Sequence, residues 1–256
     1  MLIKVRNWIH SCLFLFKQSV RQSLFLGMLY ITLILFIPIL PGLAFISPIT
    51  IFLYPFIVLI YIYFYRELDA KRNFDIQHIF NLLKTKFRPL LFIGGFTFIF
   101  STLLSMFFYA DIGLKTEEIK SITEFSKKYQ PTFIKLILIS IPFIMATWFS
   151  PMLILYKQYG AMKAIKSSLA GTLMFSIPLL LGWAILTGIF VVIILLITFF
   201  FSFLSFLGQN SVSFLTSLFL LVSFTAYISI LFIFQYVTYK DICEPSKLTA
   251  KSAEAV

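Results

Sequence analysis

Four intervals of this chain carry no ionisable Asp, Glu, Lys, Arg or His: residues 22–65, 89–110, 136–156 and 167–239. A charge at the centre of a bilayer costs about 2.5–3.5 kcal/mol on insertion scales, and a crossing helix needs about 20 apolar residues, so such intervals count spans. The intervals of 22 and 21 residues hold one helix each. The 44-residue interval fits two helices with a turn at Pro38, Pro41, Gly42 and Pro48, residues that end or punctuate helices. The 73-residue interval reads as two more, broken at Gly208-Gln209-Asn210-Ser211, a cluster of turn-formers. The expected fold is all-α, a polytopic transmembrane helix bundle of six spans forming one membrane domain over 1–256. A soluble domain is excluded, because 60% of the residues are hydrophobic and 12% charged, against about 25% charged in soluble chains.

Seventy-three residues also have room for three spans, and charge placement decides against that count. With six spans and the N-terminus inside, sixteen of the 21 Lys and Arg fall on the cytoplasmic side. Only Lys115, Lys120, Lys127, Lys128 and Lys135 lie outside, near Asp111, Glu117, Glu118 and Glu124. The other two outer connections carry no charge, so every loop obeys the positive-inside rule, and a seventh helix would send the Lys240 tail to the wrong face. The net charge of +11 is then an insertion signal and a means of holding anionic headgroups, not a nucleic-acid footprint. The first apolar run is too long for the core of a cleavable signal. Cys12 and Cys243 both fall on the basic side, which speaks against a disulfide framework and for a reducing compartment. Both termini are expected on the cytoplasmic side.

Three basic segments precede the three pairs of spans. Val5, Ile9, Cys12, Phe16 and Val20 recur at helical spacing, opposite Lys4, His10 and Lys17. Ile76, Ile79, Phe80, Leu83 and Phe87 form a closer match, with Lys84 and Lys86 on the other side. Met162, Ile165 and Leu169 against Lys163 and Lys166 repeat the scheme weakly. These predict in-plane amphipathic helices on the cytoplasmic side. The expected boundaries are an interfacial helix over 1–23, spans one and two over 24–65, a second interfacial helix over 70–88 and span three over 89–110. An outer loop follows over 111–131, with a short helix at 117–129. Span four covers 132–156, a basic loop 157–170, spans five and six 172–239, and a tail 240–256. Spans two, four and six each finish in tyrosine followed by a cation: Tyr65-Arg66, Tyr156-Lys157 and Tyr239-Lys240. The expected contacts to anionic headgroups are Lys17, Arg21, Arg66, Lys84, Lys86, Arg88, Lys163, Lys166 and Lys240.

Ion-coupled transport and intramembrane catalysis need ionisable groups or metal ligands within the spans. None stands there apart from Lys135 at an outer edge, and no zinc, nucleophile or phosphate-loop motif occurs. The reading is a non-enzymatic protein with no metal and no cofactor, whose partners are anionic membrane lipids, with a membrane protein or a second copy as further candidates. The rival reading is a channel or uniporter for a neutral or amphipathic solute, lined by the Ser and Thr of the spans. Its candidate cavity lies at Trp148, Ser150 and Pro151, where Trp148-Phe149-Ser150-Pro151 predicts a kink in the fourth span. A third reading, a lipid-modifying enzyme, requires Glu67, Asp69, Asp75 or Asp241 to converge in one pocket.

Several short motifs together resemble a known group. They are Asn7-Trp8-Ile9, Leu29-Tyr30, the Pro38-Ile39-Leu40-Pro41-Gly42 turn, Tyr65-Arg66, Trp148-Phe149-Ser150-Pro151, Ala164-Ile165-Lys166-Ser167-Ser168 and Tyr239-Lys240-Asp241-Ile242. The chain is similar in these to six-span bacterial inner-membrane proteins of the distantly YciC-like kind. It departs from them where Phe175-Ser176 stands near Pro178 in place of an Asn-Trp pair. The resemblance covers nearly the whole chain and implies the topology and the inner membrane. It brings no activity with it.

Overall fold

In a computed structural model of the chain, residues 1–37, 40, 42, 46–113, 122–204 and 209–244 are described. They form ten helices and, among them, no strand. Helix α1 is Leu2–Gln18 and α2 is Val20–Ile31, continued by one π-helical turn, Thr32–Phe36. Helix α3 spans Ser47–Asp69, α4 Ile76–Thr85, α5 Phe87–Gly113, α6 Ile122–Trp148 and α7 Ser150–Tyr156. Helices α8, α9 and α10 cover Ala161–Met174, Ser176–Phe203 and Gln209–Cys243. Five stretches are long and apolar enough to cross a membrane: α3, α5, α6 with α7, α9 and α10; the bent pair of α1 with α2 and its π turn makes a sixth candidate. The all-helical class read from the charge gaps is the observed one, with five or six stretches able to cross a membrane.

The first boundary differs from the expected one. Helix α1, expected to run to 23, stops at Gln18, and the chain turns through 97° there. Ser19 leaves the helical region (φ −134°, ψ 33°), and its hydroxyl donates to Leu15 O (2.9 Å) and pairs with Ser23 Oγ (3.0 Å). Serine offers the backbone a local alternative to the helical ladder, so it suits a corner. Arg21 therefore lies in the first turn of α2.

Two other boundaries move. Residues 157–170, read as a basic loop, contain most of α8. The short outer helix expected over 117–129 is not separate, because Ile122 already belongs to α6, which passes Pro131 unbroken. A proline removes one ladder bond and does not by itself end a helix that packing supports. The turn prolines Pro38 and Pro41, Gly208, residues 117–121, Lys115, Lys120, Lys247 and Lys251 lie outside the described residues.

Buried side chains concentrate where α3, α7 and α10 meet α1. They include Val58, Leu59, Ile62 and Tyr65 of α3, Met152 and Ile154 of α7, and Ile233, Phe234 and Tyr239 of α10. By contrast α9 leaves most of its side chains outward, among them Leu195, Leu196 and Phe199, as suits a helix bathed in lipid. Helix α10, with 35 residues, is about 52 Å long at 1.5 Å per residue and exceeds a hydrocarbon layer of about 30 Å. Helix α1 rests against the C-terminal turns of α10, where Trp8 meets Phe234 and Asp241.

The stripe by which α1 packs is Val5, Trp8, Cys12, Leu15 and Ser19, each 3% exposed or less. Trp8 packs edge-on against Phe234, with ring centroids 6.1 Å apart. Ile9 and Phe16, expected in the stripe, lie on its flank, and Val20 is exposed. Both cysteines are free thiols. Burial pushes the Cys12 thiol well above its ordinary range, and it is the thiolate that reacts. In the folded protein at neutral pH, N-ethylmaleimide is expected to add at most once, at the half-buried Cys243, and a second time only after SDS unfolding. Intact-mass measurement reads this directly, and two additions under folded conditions would contradict the packing of α1.

Candidate functional site

The three tyrosine-then-cation endings converge at one end of the bundle. The Arg66 guanidinium lies 3.8 Å from the centroid of the Tyr156 ring, and Tyr156 stands 6.0 Å from the Tyr239 ring. This is a cation–π arrangement that holds the ends of α3, α7 and α10 together. Around it the acids are paired. Asp69 Oδ2 accepts from Tyr236 OH (2.7 Å) and Lys240 Nζ (2.5 Å). Asp241 Oδ2 accepts from Trp8 Nε1 (3.1 Å) and meets Lys4 Nζ at 2.8 Å. Glu244 lies 3.6 Å from Arg66 and accepts from Tyr239 OH at 3.3 Å. Half-exposed ion pairs stabilise by about 0–1 kcal/mol each, so these fix geometry more than stability. Asp75 plays another part: it caps α4, its Oδ1 accepting from Gln77 N (2.9 Å) and His78 N (3.2 Å). Among the described residues, no three His, Cys, Asp or Glu side chains gather as a metal site would require.

Below this polar end, the helix breaks between α6 and α7 at Phe149, and three distant side chains mend the break. Pro151 has no N–H to give to the ladder. The Phe149 N–H donates to Ser168 Oγ (2.9 Å), and that hydroxyl donates to Met145 O (2.8 Å), so α8 is stitched into the gap between α6 and α7. Thr172 Oγ1 also donates to Met145 O (3.2 Å), and Gln235 Nε2 of α10 donates to Trp148 O (2.5 Å). The kink read from Trp148-Phe149-Ser150-Pro151 is present, and its partners come from Ala164–Ser168 and from α10. A second stitch joins α2 to α10 and α3, through Ser229 Oγ to Ser23 O (2.6 Å) and Tyr65 OH to Ser23 Oγ (3.1 Å). Tyr61 OH donates to Leu26 O.

At the candidate cavity, Ser150 and Pro151 are buried, Trp148 is half-buried, and Ser150 Oγ donates to Ala146 O (2.5 Å). Several other hydroxyls of the long helices bond back one turn in the same way: Thr102 to Phe98 O, Ser140 to Leu136 O, Thr147 to Phe143 O and Thr198 to Ile194 O. Hydroxyls satisfied on their own helices are free to face lipid or a packed neighbour.

The expected headgroup cations divide into two groups. Lys17, Arg21, Lys84, Arg88, Lys163 and Lys166 are exposed and Lys86 is half-buried. Arg66 is engaged by Tyr156 and Glu244, and the exposed Lys240 by Asp69. Lys163 Nζ also lies 4.2 Å over the Tyr159 ring. Around α4 the apolar residues split as well. Ile79 and Leu83 are buried, while Ile76, Phe80 and Phe87 are exposed, at 58%, 53% and 49%. An exposed apolar row therefore stands beside Lys84 and Arg88.

No protein-family model, no curated protein and no solved structure matches this chain. Sequence reasoning passed over Lys4, Trp8, Ser168 and Gln235 as site residues. The Asn7-Trp8 pair and the lone amide in an apolar run were the available signals.

Proposed function

We propose that the protein is a non-enzymatic, six-span protein of a bacterial inner membrane, with its basic end and both termini in the cytoplasm, holding anionic lipid at that face. A membrane partner or second copy would dock over the same lipid-facing helices. The observation that carries this reading is the exposed row Ile76, Phe80 and Phe87 beside the exposed Lys84 and Arg88. Apolar side chains that enter the acyl boundary while cations meet the phosphates are what an interfacial helix presents, and each such cation contributes about 1 kcal/mol near an anionic surface. The engaged Arg66 and Lys240 organise the bundle, and the free cations meet the lipid. The back-bonded hydroxyls and the buried Ser150 weigh toward packing and away from a solute path.

The test is lipid retention. The full chain, exchanged in detergent against a mixture of phosphatidylglycerol and phosphatidylcholine, is expected to keep phosphatidylglycerol preferentially. Combining Lys84→Glu, Lys86→Glu and Arg88→Glu should lower that retention about tenfold or more, since three cations at about 1 kcal/mol each are reversed. Equal retention by the variant and the unaltered chain, read by mass spectrometry of bound lipid, would defeat the proposal.

A further inference from the structure

We infer that the hollow between α1, α3 and α10 is a headgroup site for a phosphodiester bearing a primary ammonium, the membrane form of which is phosphatidylethanolamine. The inference deepens the lipid-holding reading and rests on the membrane placement in it. The hollow measures about 250 Å³, and its polar lining is His10 and Ser11 of α1, Asp69 at the end of α3, and Tyr236 and Lys240 of α10. Asp69 and Lys240 stand at the ends of two membrane-crossing helices, which is headgroup depth.

Three features select the ligand. First, an acid and a cation face the space together, 2.5 Å apart, so a purely anionic headgroup is opposed by Asp69 and a purely cationic one by Lys240. A headgroup carrying both charges suits both. Second, each side chain keeps capacity for a ligand. Both partners of Asp69 use Oδ2, and among the described residues no donor reaches Oδ1. The Lys240 ammonium has three donors, of which one meets Asp69, and Ser11 and His10 line the same wall. An ammonium hydrogen-bonds Oδ1 while the phosphate takes Lys240, Ser11 and His10. A quaternary choline has no N–H to donate, so it loses a charge-assisted bond. Third, His10 also lines a largely apolar groove of about 370 Å³ on the other flank of α1, formed with Leu2, Val5, Arg6, Ile9, Leu13 and Ile185 of α9. A polar hollow and a largely apolar groove that share His10 fit an amphipathic ligand, headgroup in one and acyl chain in the other.

The test uses the full chain in detergent, equilibrated with equal amounts of phosphatidylethanolamine, phosphatidylcholine and phosphatidylglycerol of matched acyl chains, with retained lipid read by native mass spectrometry. Phosphatidylethanolamine is expected over phosphatidylcholine by about tenfold, the effect of one hydrogen bond to a charged group. Asp69→Asn should bring that ratio toward one. Ser11→Trp, which fills the hollow while leaving Asp69 and Lys240 themselves unaltered, should do the same with an unchanged melting midpoint, so the test survives if Asp69→Asn folds poorly. The Lys84, Lys86 and Arg88 charge reversals should lower phosphatidylglycerol and leave the phosphatidylethanolamine ratio intact, which separates failure of this site from failure of the interfacial one. Soluble glycerophosphoethanolamine, added as competitor, distinguishes the source: displacement assigns the site to the free compound, no displacement assigns it to the lipid, and either upholds the recognition chemistry. A ratio near one in the unaltered chain, or a preference that persists in folded Ser11→Trp, overturns the assignment.

Discussion

Gly94→Leu is expected to remove folded protein from the membrane fraction. A Cβ at Gly94 would fall on the backbone carbonyl oxygen of Phe52, too close for the two helices to remain where they are. Backbone cannot rotate out of the way as a side chain does, so α3 and α5 must separate. That would pull apart the ring contacts along the seam, Phe52 with Phe98 at 5.0 Å and Phe56 with Phe87 at 5.5 Å. Overpacking of a filled core costs about 1–3 kcal/mol and sometimes more, and small residues are what let membrane helices approach closely. The neighbouring Gly95 supplies the control, since a Cβ there meets only the Phe52 ring, at 3.5 Å. In size-exclusion chromatography from mild detergent, Gly95→Ala should elute as the unaltered chain does and Gly94→Leu should aggregate. A monodisperse Gly94→Leu would mean that the α3–α5 seam is not as described.

Ser168→Ala carries the next largest effect. Ser168 is fully buried and bridges the Phe149 N–H to Met145 O across the break in the fourth span. Alanine leaves that N–H without its acceptor, and a buried donor left unpaired costs about 1–3 kcal/mol. Met145 O retains Thr172 at 3.2 Å, so the loss lies chiefly at Phe149. The midpoint of thermal unfolding should drop by several degrees, and Ser168→Thr should restore part of it. Gln235→Leu exposes Trp148 O in the same gap, so the double variant should lose less than the sum of the singles, as groups in one network do. Strict additivity would show that the two stitches act independently.

Much of this architecture was legible in the chain. Gaps between charges mark the long apolar helices because desolvating a charge is costly wherever it occurs, and the tyrosine–cation endings marked the three places that converge. The packing stripe of α1 was legible only in part: Val5 and Cys12 were read into it, Trp8 and Leu15 were not. Leu2, Ile3, Leu13 and Phe14 are as apolar as Val5 and Leu15 yet are exposed, so apolarity alone does not say which side chains of this helix meet the protein. The kink at Trp148–Pro151 was visible in its proline. Its repair was not, because Ser168 and Gln235 reach it from 19 and 87 residues away. Nor do Lys71 and Gln158, left-handed at φ 55° and 57°, look like turn residues. They follow α3 and α7 alike, a shared ending for the first two hairpins that only the backbone displays.

The central claim, a six-span chain whose basic end lies inside, is tested most directly by thiol labelling in intact bacterial cells. In a background of Cys12→Ala and Cys243→Ser, single variants Lys17→Cys, Lys84→Cys, Lys166→Cys and Lys120→Cys are exposed to a membrane-impermeant maleimide before and after permeabilisation. The account predicts that Lys120→Cys labels at once and that the other three label only after the membrane is opened. Immediate labelling at Lys166→Cys but not at Lys84→Cys, or at Lys84→Cys but not at Lys17→Cys, would put the basic segments on opposite faces and contradict it.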